Sequence, residues 1–159
     1  MPEPAPFDPQ RIFDELARHR VRYVLIGGLA VQTHGHTRMT NDIDLIPEPS
    51  PGNLDALAGA LLALGARVLN RGHENDRISG AMLPRATTWQ FATPHGDVDV
   101  LHDAPGAAPF EELLRRGLVI ELDGAEIVVA GRDDLIRMKL ARNRRVDRED
   151  VAALTDPLD

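Results

Sequence analysis

No cysteine occurs among the 159 residues, which excludes disulfides and thiolate metal sites and fits a cytoplasmic protein. No apolar run approaches the ~20 residues that cross a bilayer, so no membrane partner is expected. The opening MPEPAPFDPQ lacks the basic start and apolar stretch of a signal peptide. Residues 1–8 read instead as a flexible lead-in, and 9–159 as a single domain. A net charge of −7 denies the chain the basic surface of a general nucleic-acid binder. Lysine is almost missing: Lys139 is the sole one among 18 basic residues. There is no internal repeat, and no loop has EF-hand ligand spacing.

What remains is ordinary globular composition, 43% hydrophobic and 27% charged. Asp8-Pro9 reads as an N-cap and first helical residue, and Ile12, Phe13, Leu16 and Ala17 carry an amphipathic helix to about His19. A buried strand over 22–26 runs into Gly27-Gly28 and a short helix to about His34. A second strand over 43–46 is closed by Pro47, Pro49 and Pro51, and a helix over 53–64 ends at Gly65. A short strand follows over 66–69, then a polar loop with one helical turn over 70–86. Strands over 87–93 and 97–101 form a hairpin around Pro94-His95-Gly96, with Trp89 and Phe91 packing one face. After a helix over 110–116, Asp123-Gly124 joins hairpin strands 118–122 and 126–129. Helices over 132–143 and 148–154 complete the chain, the last capped by Asp147. The order predicts an α+β fold, one mixed β-sheet flanked by helices.

The chemistry lies in three short motifs. YVLIGG ends in a tight turn that lets backbone approach a ligand and aims free N–H groups at it. In NDIDL, Asp42 and Asp44 fall on one strand face and Ile43 and Leu45 on the other. Paired carboxylates repel unless a cation lies between them, and hard oxygen ligands suit Mg²⁺, or Mn²⁺ in its place. DVDVL repeats the pattern, and Asp99 completes a three-carboxylate set if that strand lies beside NDIDL. Two ions in such a cradle clamp attacking and leaving oxygens in phosphoryl-type transfer. Arg38 or Lys139 adds charge for the phosphates. The basic run from Arg132 to Arg148 reads either as a solvated helix face or as part of that anion site. His34 and His36 have no third nitrogen or sulfur ligand at motif spacing and are not read as a metal pair.

The order of these pieces resembles the nucleotidyltransferase superfamily, whose type is the catalytic, palm-like fold of DNA polymerase β. YVLIGGLAVQTHGHTRMTNDIDLI looks like its glycine and paired-aspartate motifs, and DVDVL like its third-acid strand. The tail DLIRMKLARNRRVDREDVAAL is similar to the small bacterial branch of AbiEii-type and MenT-like toxin enzymes, with Lys139, Arg144, Asp147 and Asp150 at the matching positions. Asn143 and Val146 depart from that branch, where glycine and lysine are usual. The resemblance implies that Asp42 and Asp44 hold Mg²⁺ and that Asp99 is third ligand and base for an acceptor hydroxyl. Gly27 and Gly28 would cradle phosphates, with Arg38, Thr40 and Lys139 completing the nucleotide contacts.

The implied activity is transfer of a nucleoside monophosphate from an NTP to a hydroxyl, with release of pyrophosphate. The acceptor is RNA such as a tRNA 3′ end, a protein, or a small molecule such as an antibiotic. No sizeable segment follows the core, which points to a partner, a homo-oligomer interface or a small acceptor. The branch implies a toxin with an antitoxin partner. The alternative is a non-catalytic nucleotide-binding regulatory or antitoxin-like module of the same fold.

Overall fold

The computed structural model describes residues 6–36 and 39–155. Seven strands are present among them: β1 (Tyr23–Ile26), β2 (Asp42–Pro47), β3 (Arg67–Val68), β4 (Thr88–Thr93), β5 (Gly96–Leu101), β6 (Leu118–Leu122) and β7 (Ala125–Val129). They form one sheet in the order β3-β4-β5-β2-β1-β7-β6. The β2–β5 and β1–β7 pairs are parallel and the others antiparallel, so the sheet is mixed as expected. The helices are α1 (Pro9–Arg18), α2 (Gly27–Thr33), α3 (Pro51–Ala63), α4 (Phe110–Arg116), α5 (Arg132–Arg142) and α6 (Arg145–Thr155). None is long and apolar enough to cross a membrane.

Alternation within each strand sends one set of side chains to each face. One register row crosses most of the sheet: Trp89, Val100, Leu45, Leu25, Val129 and Leu118. The first five are buried in the core with Ile12, Phe13 and Leu16 of α1 and Leu54, Leu57 and Leu61 of α3. Trp89 stacks near Phe91 and donates its indole N–H to the Leu83 carbonyl at 2.9 Å, so its one polar atom is satisfied in the core. Covering this face leaves the other face of β2 and β5 free for polar side chains.

The boundaries follow local chemistry with a few differences from the sequence reading. Pro51 begins α3 at its first position instead of closing β2, because a missing N–H costs nothing there. Asp8 makes no side-chain cap; its backbone N–H donates to the His95 carbonyl at 2.8 Å. The polar stretch 70–86 contains a single 3₁₀ turn, Leu83–Arg85. Asp123 and Gly124 both have positive φ, 46° and 87°, as the tight hairpin turn requires. α6 starts at Arg145, three residues before the predicted 148, so Asp147 lies inside its first turn.

Candidate active site

The parallel pairing of β2 with β5 sets Asp42 opposite Asp97 and Asp44 opposite Asp99. Asp42, Asp44 and Asp99 each offer one carboxylate oxygen within 4.8 Å of the other two, the one such cluster among the described residues. Asp97 is exposed and stands outside it. At an effective dielectric of about 20, two unit charges this close repel by about 3–4 kcal/mol. The folded chain answers that repulsion by holding protons. Burial, and then the charge of Asp42, push the Asp44 carboxyl above its usual range. Burial, and then Asp44 itself, push Asp99 up to about 8. Asp44 and Asp99 share a hydrogen bond, so a proton sits between them near neutrality.

These residues fit a divalent cation: the donors are hard oxygens and they converge. A pH dependence follows. A carboxyl raised from about 4 to about 8 makes the folded state hold more protons than the unfolded state across that window. Metal-free protein should therefore lose stability as pH rises from about 5 to about 8. Mg²⁺ or Mn²⁺ should reverse the trend, since binding expels the shared proton. Thermal melts at a series of pH values, in chelator and in metal, check this; parallel curves would remove the cation from the site.

Gly27 is placed where the bend meets the carboxylates. Its φ is +79°, and a Cβ there would overlap the Asp44 side chain, 2.8 Å from Cγ. The glycine thus makes room for Asp44 as well as turning the chain from β1 into α2. Gly28 lines the cleft beside it. Thr40, read as a nucleotide contact, donates its hydroxyl to Asp42 Oδ1 at 3.1 Å and so orients a carboxylate. Arg38 lies outside the described residues.

The carboxylates open into a cleft of about 550 Å³, whose far wall is built from the α5–α6 hairpin: Lys139, Arg142, Arg144 and Val146. Lys139 is only 4% exposed and pairs with two buried carboxylates, Asp150 at 3.0 Å and Asp147 at 3.4 Å. Asp147 is the third residue of α6 and accepts the backbone N–H of Arg144 at 3.1 Å, the reciprocal half of a capping box. It also accepts the Arg144 Nε–H at 2.8 Å. Burial alone would raise Asp147, but these hydrogen bonds and the nearby Lys139 hold it at about 2. The α5–α6 corner needs a left-handed residue, and Asn143 supplies it with φ +51°. Asparagine is the side chain that best stands in for glycine there, which accounts for that departure from the expected motif.

Two polar cleft residues escaped the sequence reading. Thr88 and Gln90 line the site, with Gln90 directly opposite Asp99. The signal was present: Trp89 and Phe91 claim the core face of β4, and the hairpin register then fixes which neighbours face the carboxylates. Neither histidine joins the acidic cluster; His34 Nε2 meets the Ala130 carbonyl at 3.0 Å, and His36 Nε2 stands 3.8 Å from Asp150.

No protein-family profile matches this sequence, and no curated protein is similar to it. Solved structures are similar in shape. The lincomycin-bound lincosamide antibiotic adenylyltransferase LnuA superposes with a TM-score of 0.64 at 14% identity, over 94% of this chain and 98% of that one. The antibiotic-resistance factor ANT(2″)-Ia gives 0.60 at 15% identity, over 92% and 80%. A nucleotidyltransferase-like protein of Thermotoga maritima, TM1012, gives 0.57 at 14% identity, over 92% and 89%. At these identities the likeness establishes a shared fold, that of the nucleotidyltransferases.

Proposed function

We propose that the chain is a metal-dependent nucleotidyltransferase that moves a nucleoside monophosphate from an NTP to an acceptor hydroxyl. The observation that carries this reading is the convergence of Asp42, Asp44 and Asp99 beside the Gly27 bend, facing a cationic wall across one cleft. A divalent cation held by the three carboxylates, Mg²⁺ or Mn²⁺, would supply charge neutralisation for the phosphates and the reacting oxygens.

The chain's own groups divide the remaining work. Lys139, Arg142 and Arg144 set three cations against the two carboxylates of Asp147 and Asp150, leaving the wall net positive for a polyphosphate. Arg142 and Arg144 are exposed and can reach phosphate oxygens, while buried Lys139 acts mainly through its field. Gly28 leaves backbone open to the phosphates. Asp99, freed of its proton when the cation binds, takes the proton of the acceptor hydroxyl. The acceptor oxygen bonds to the α-phosphorus as the bond to the β-phosphate oxygen breaks, and pyrophosphate leaves. Gln90 and Thr88, on the far side of Asp99 from Asp44, are placed to hydrogen-bond the acceptor.

A small hydroxylated acceptor suits the cleft best. LnuA is bound to lincomycin and ANT(2″)-Ia to adenylylated tobramycin, both small hydroxylated acceptors. A toxin role with an antitoxin partner rests on the tail motif alone. The test is incubation with each α-labelled NTP, Mg²⁺ and separated RNA, protein and small-molecule fractions of a cell extract. Label should enter the small-molecule fraction with release of pyrophosphate. Label in RNA or protein would reassign the acceptor. Nucleotide-dependent thermal stabilisation with no pyrophosphate from any fraction would make the chain a binding module instead.

A further inference from the structure

We propose that Asn70 is a positioning residue for the acceptor: its carboxamide clamps the outer edge of β4 and so fixes Thr88 and Gln90. The inference rests on the acceptor side assigned to those two residues above. β3 pairs with β4 through two residues, Arg67 with Ala92 and Val68 with Phe91. The hydrogen-bond ladder nevertheless continues past it. Leu69 donates its backbone N–H to the Gln90 carbonyl at 2.8 Å. The Asn70 side chain then takes over from the backbone. Its Oδ1 accepts the Gln90 backbone N–H at 2.8 Å, and its Nδ2 donates to the Thr88 carbonyl at 2.9 Å. A carboxamide can accept and donate at once, as a peptide group does, whereas a carboxylate only accepts and an ammonium only donates. Asn70 is itself held: its carbonyl accepts the His73 N–H at 3.0 Å, and the His73 ring meets Trp89 edge-on with centroids 5.4 Å apart.

The clamp reaches the site through the register of β4 on β5. The N–H and C=O of Gln90 both point outward, to Asn70 and Leu69, so Gln90 and Asp99 form a non-hydrogen-bonded pair. Such partners have Cα atoms about 4.5 Å apart and the closest side chains of an antiparallel ladder. Gln90 is thus the β4 residue set directly against Asp99, and Thr88 shares its face two residues away. β5 holds this stretch from the inner side, while Leu69 and Asn70 hold it from the outer side. Shifting a positioning group by about 1 Å can cost about a hundredfold in rate. Asp42, Asp44 and Asp99 stand on β2 and β5, beyond β4 in the sheet order from Asn70. Loss of the clamp is therefore felt by the acceptor before it is felt by the metal or the NTP.

Asn70→Ala removes both bonds at a solvent-facing edge, where water can replace them and the fold survives. Amide hydrogen exchange at Gln90 should quicken by at least about tenfold, with buried Val98 of β5 unchanged. In the transfer assay the acceptor probe is the label-accepting small-molecule fraction, titrated by dilution. Half-saturation should need about tenfold more of that fraction, while half-saturating NTP stays within about twofold. Asn70→Asp keeps the accepting oxygen and loses the donor, so it should fall between. Arg71→Ala, next in the chain and outside the clamp, should match the unaltered protein. Equal shifts for acceptor and NTP would overturn the positioning role, as would an unchanged acceptor requirement once Gln90 exchange has quickened. Unchanged exchange at Gln90 would overturn the clamp itself. Absence of transfer by the unaltered protein would instead overturn the activity, and the positioning role with it, and the exchange result reads the clamp separately from that.

Discussion

Asp44→Asn is expected to lower nucleotidyl transfer by roughly a thousandfold and to raise the melting temperature of the metal-free protein. The first effect follows from position. Asp44 is the central carboxylate, between Asp42 on its own strand and Asp99 on the next, so its loss dissolves the cradle. The second follows from electrostatics. Burial and then Asp42 both disfavour the charged form of Asp44, and an uncharged amide of the same shape relieves that strain. Asp99 should then titrate lower, having lost its nearest like charge. Opposite signs in activity and stability distinguish removal of a functional carboxylate from simple damage to the fold. Calorimetry in chelator alongside a pyrophosphate-release assay measures both; transfer persisting within tenfold of the unaltered protein would refute the metal site.

Lys139→Met is expected to cost about 3–5 kcal/mol of stability, because it strands buried carboxylates without their cation. Asp147 keeps the Arg144 hydrogen bonds, while Asp150 loses the ammonium that stands 3.0 Å from its Oδ2. Pairing the change with Asp150→Leu should recover most of the loss, since swapping a buried ion pair for apolar groups is often nearly neutral. Nucleotide affinity provides the contrast. If the double variant regains stability and still binds NTP weakly, the ammonium field reaches the phosphates. If affinity returns with stability, Lys139 only holds α5 to α6. An undiminished melting point in the single variant would show that the buried pairs contribute nothing.

Arginine would serve poorly at 139. The site is closed, with the side chain 4% exposed between two carboxylates on one neighbouring helix, and a compact ammonium fits where a planar fork does not. The sole lysine of the chain thus stands in a buried ionic cluster beside the cleft. The sequence reading gave Lys139 a phosphate contact; the structure shows its ammonium paired with Asp147 and Asp150.

Much of the site was legible in the linear order of residues. Strand alternation alone puts Asp42 and Asp44 on one face, and two-residue turn chemistry fixes the Asp123-Gly124 hairpin. The Thr93–Gly96 turn fixes the β4–β5 register in the same way, and with it the position of Gln90 against Asp99. Local rules reach that far because they act through neighbours in the chain. Gly27 was legible as a turn, but its second task, clearing space for Asp44, involves a residue seventeen positions away and so left no local mark.

By itself the sequence determined which side chains would be acidic, which faces would be apolar, and where the chain would bend, since covalent spacing and backbone preference decide those. Only the tertiary structure decided that β5 lies parallel beside β2 with Asp99 level with Asp44, and that α6 folds back to bury Asp147 and Asp150 around Lys139. It alone made β6 an edge strand of the sheet among the described residues. Those outcomes depend on which distant surfaces bury the most apolar area together, a comparison made over the whole folded chain and not within any short stretch of it.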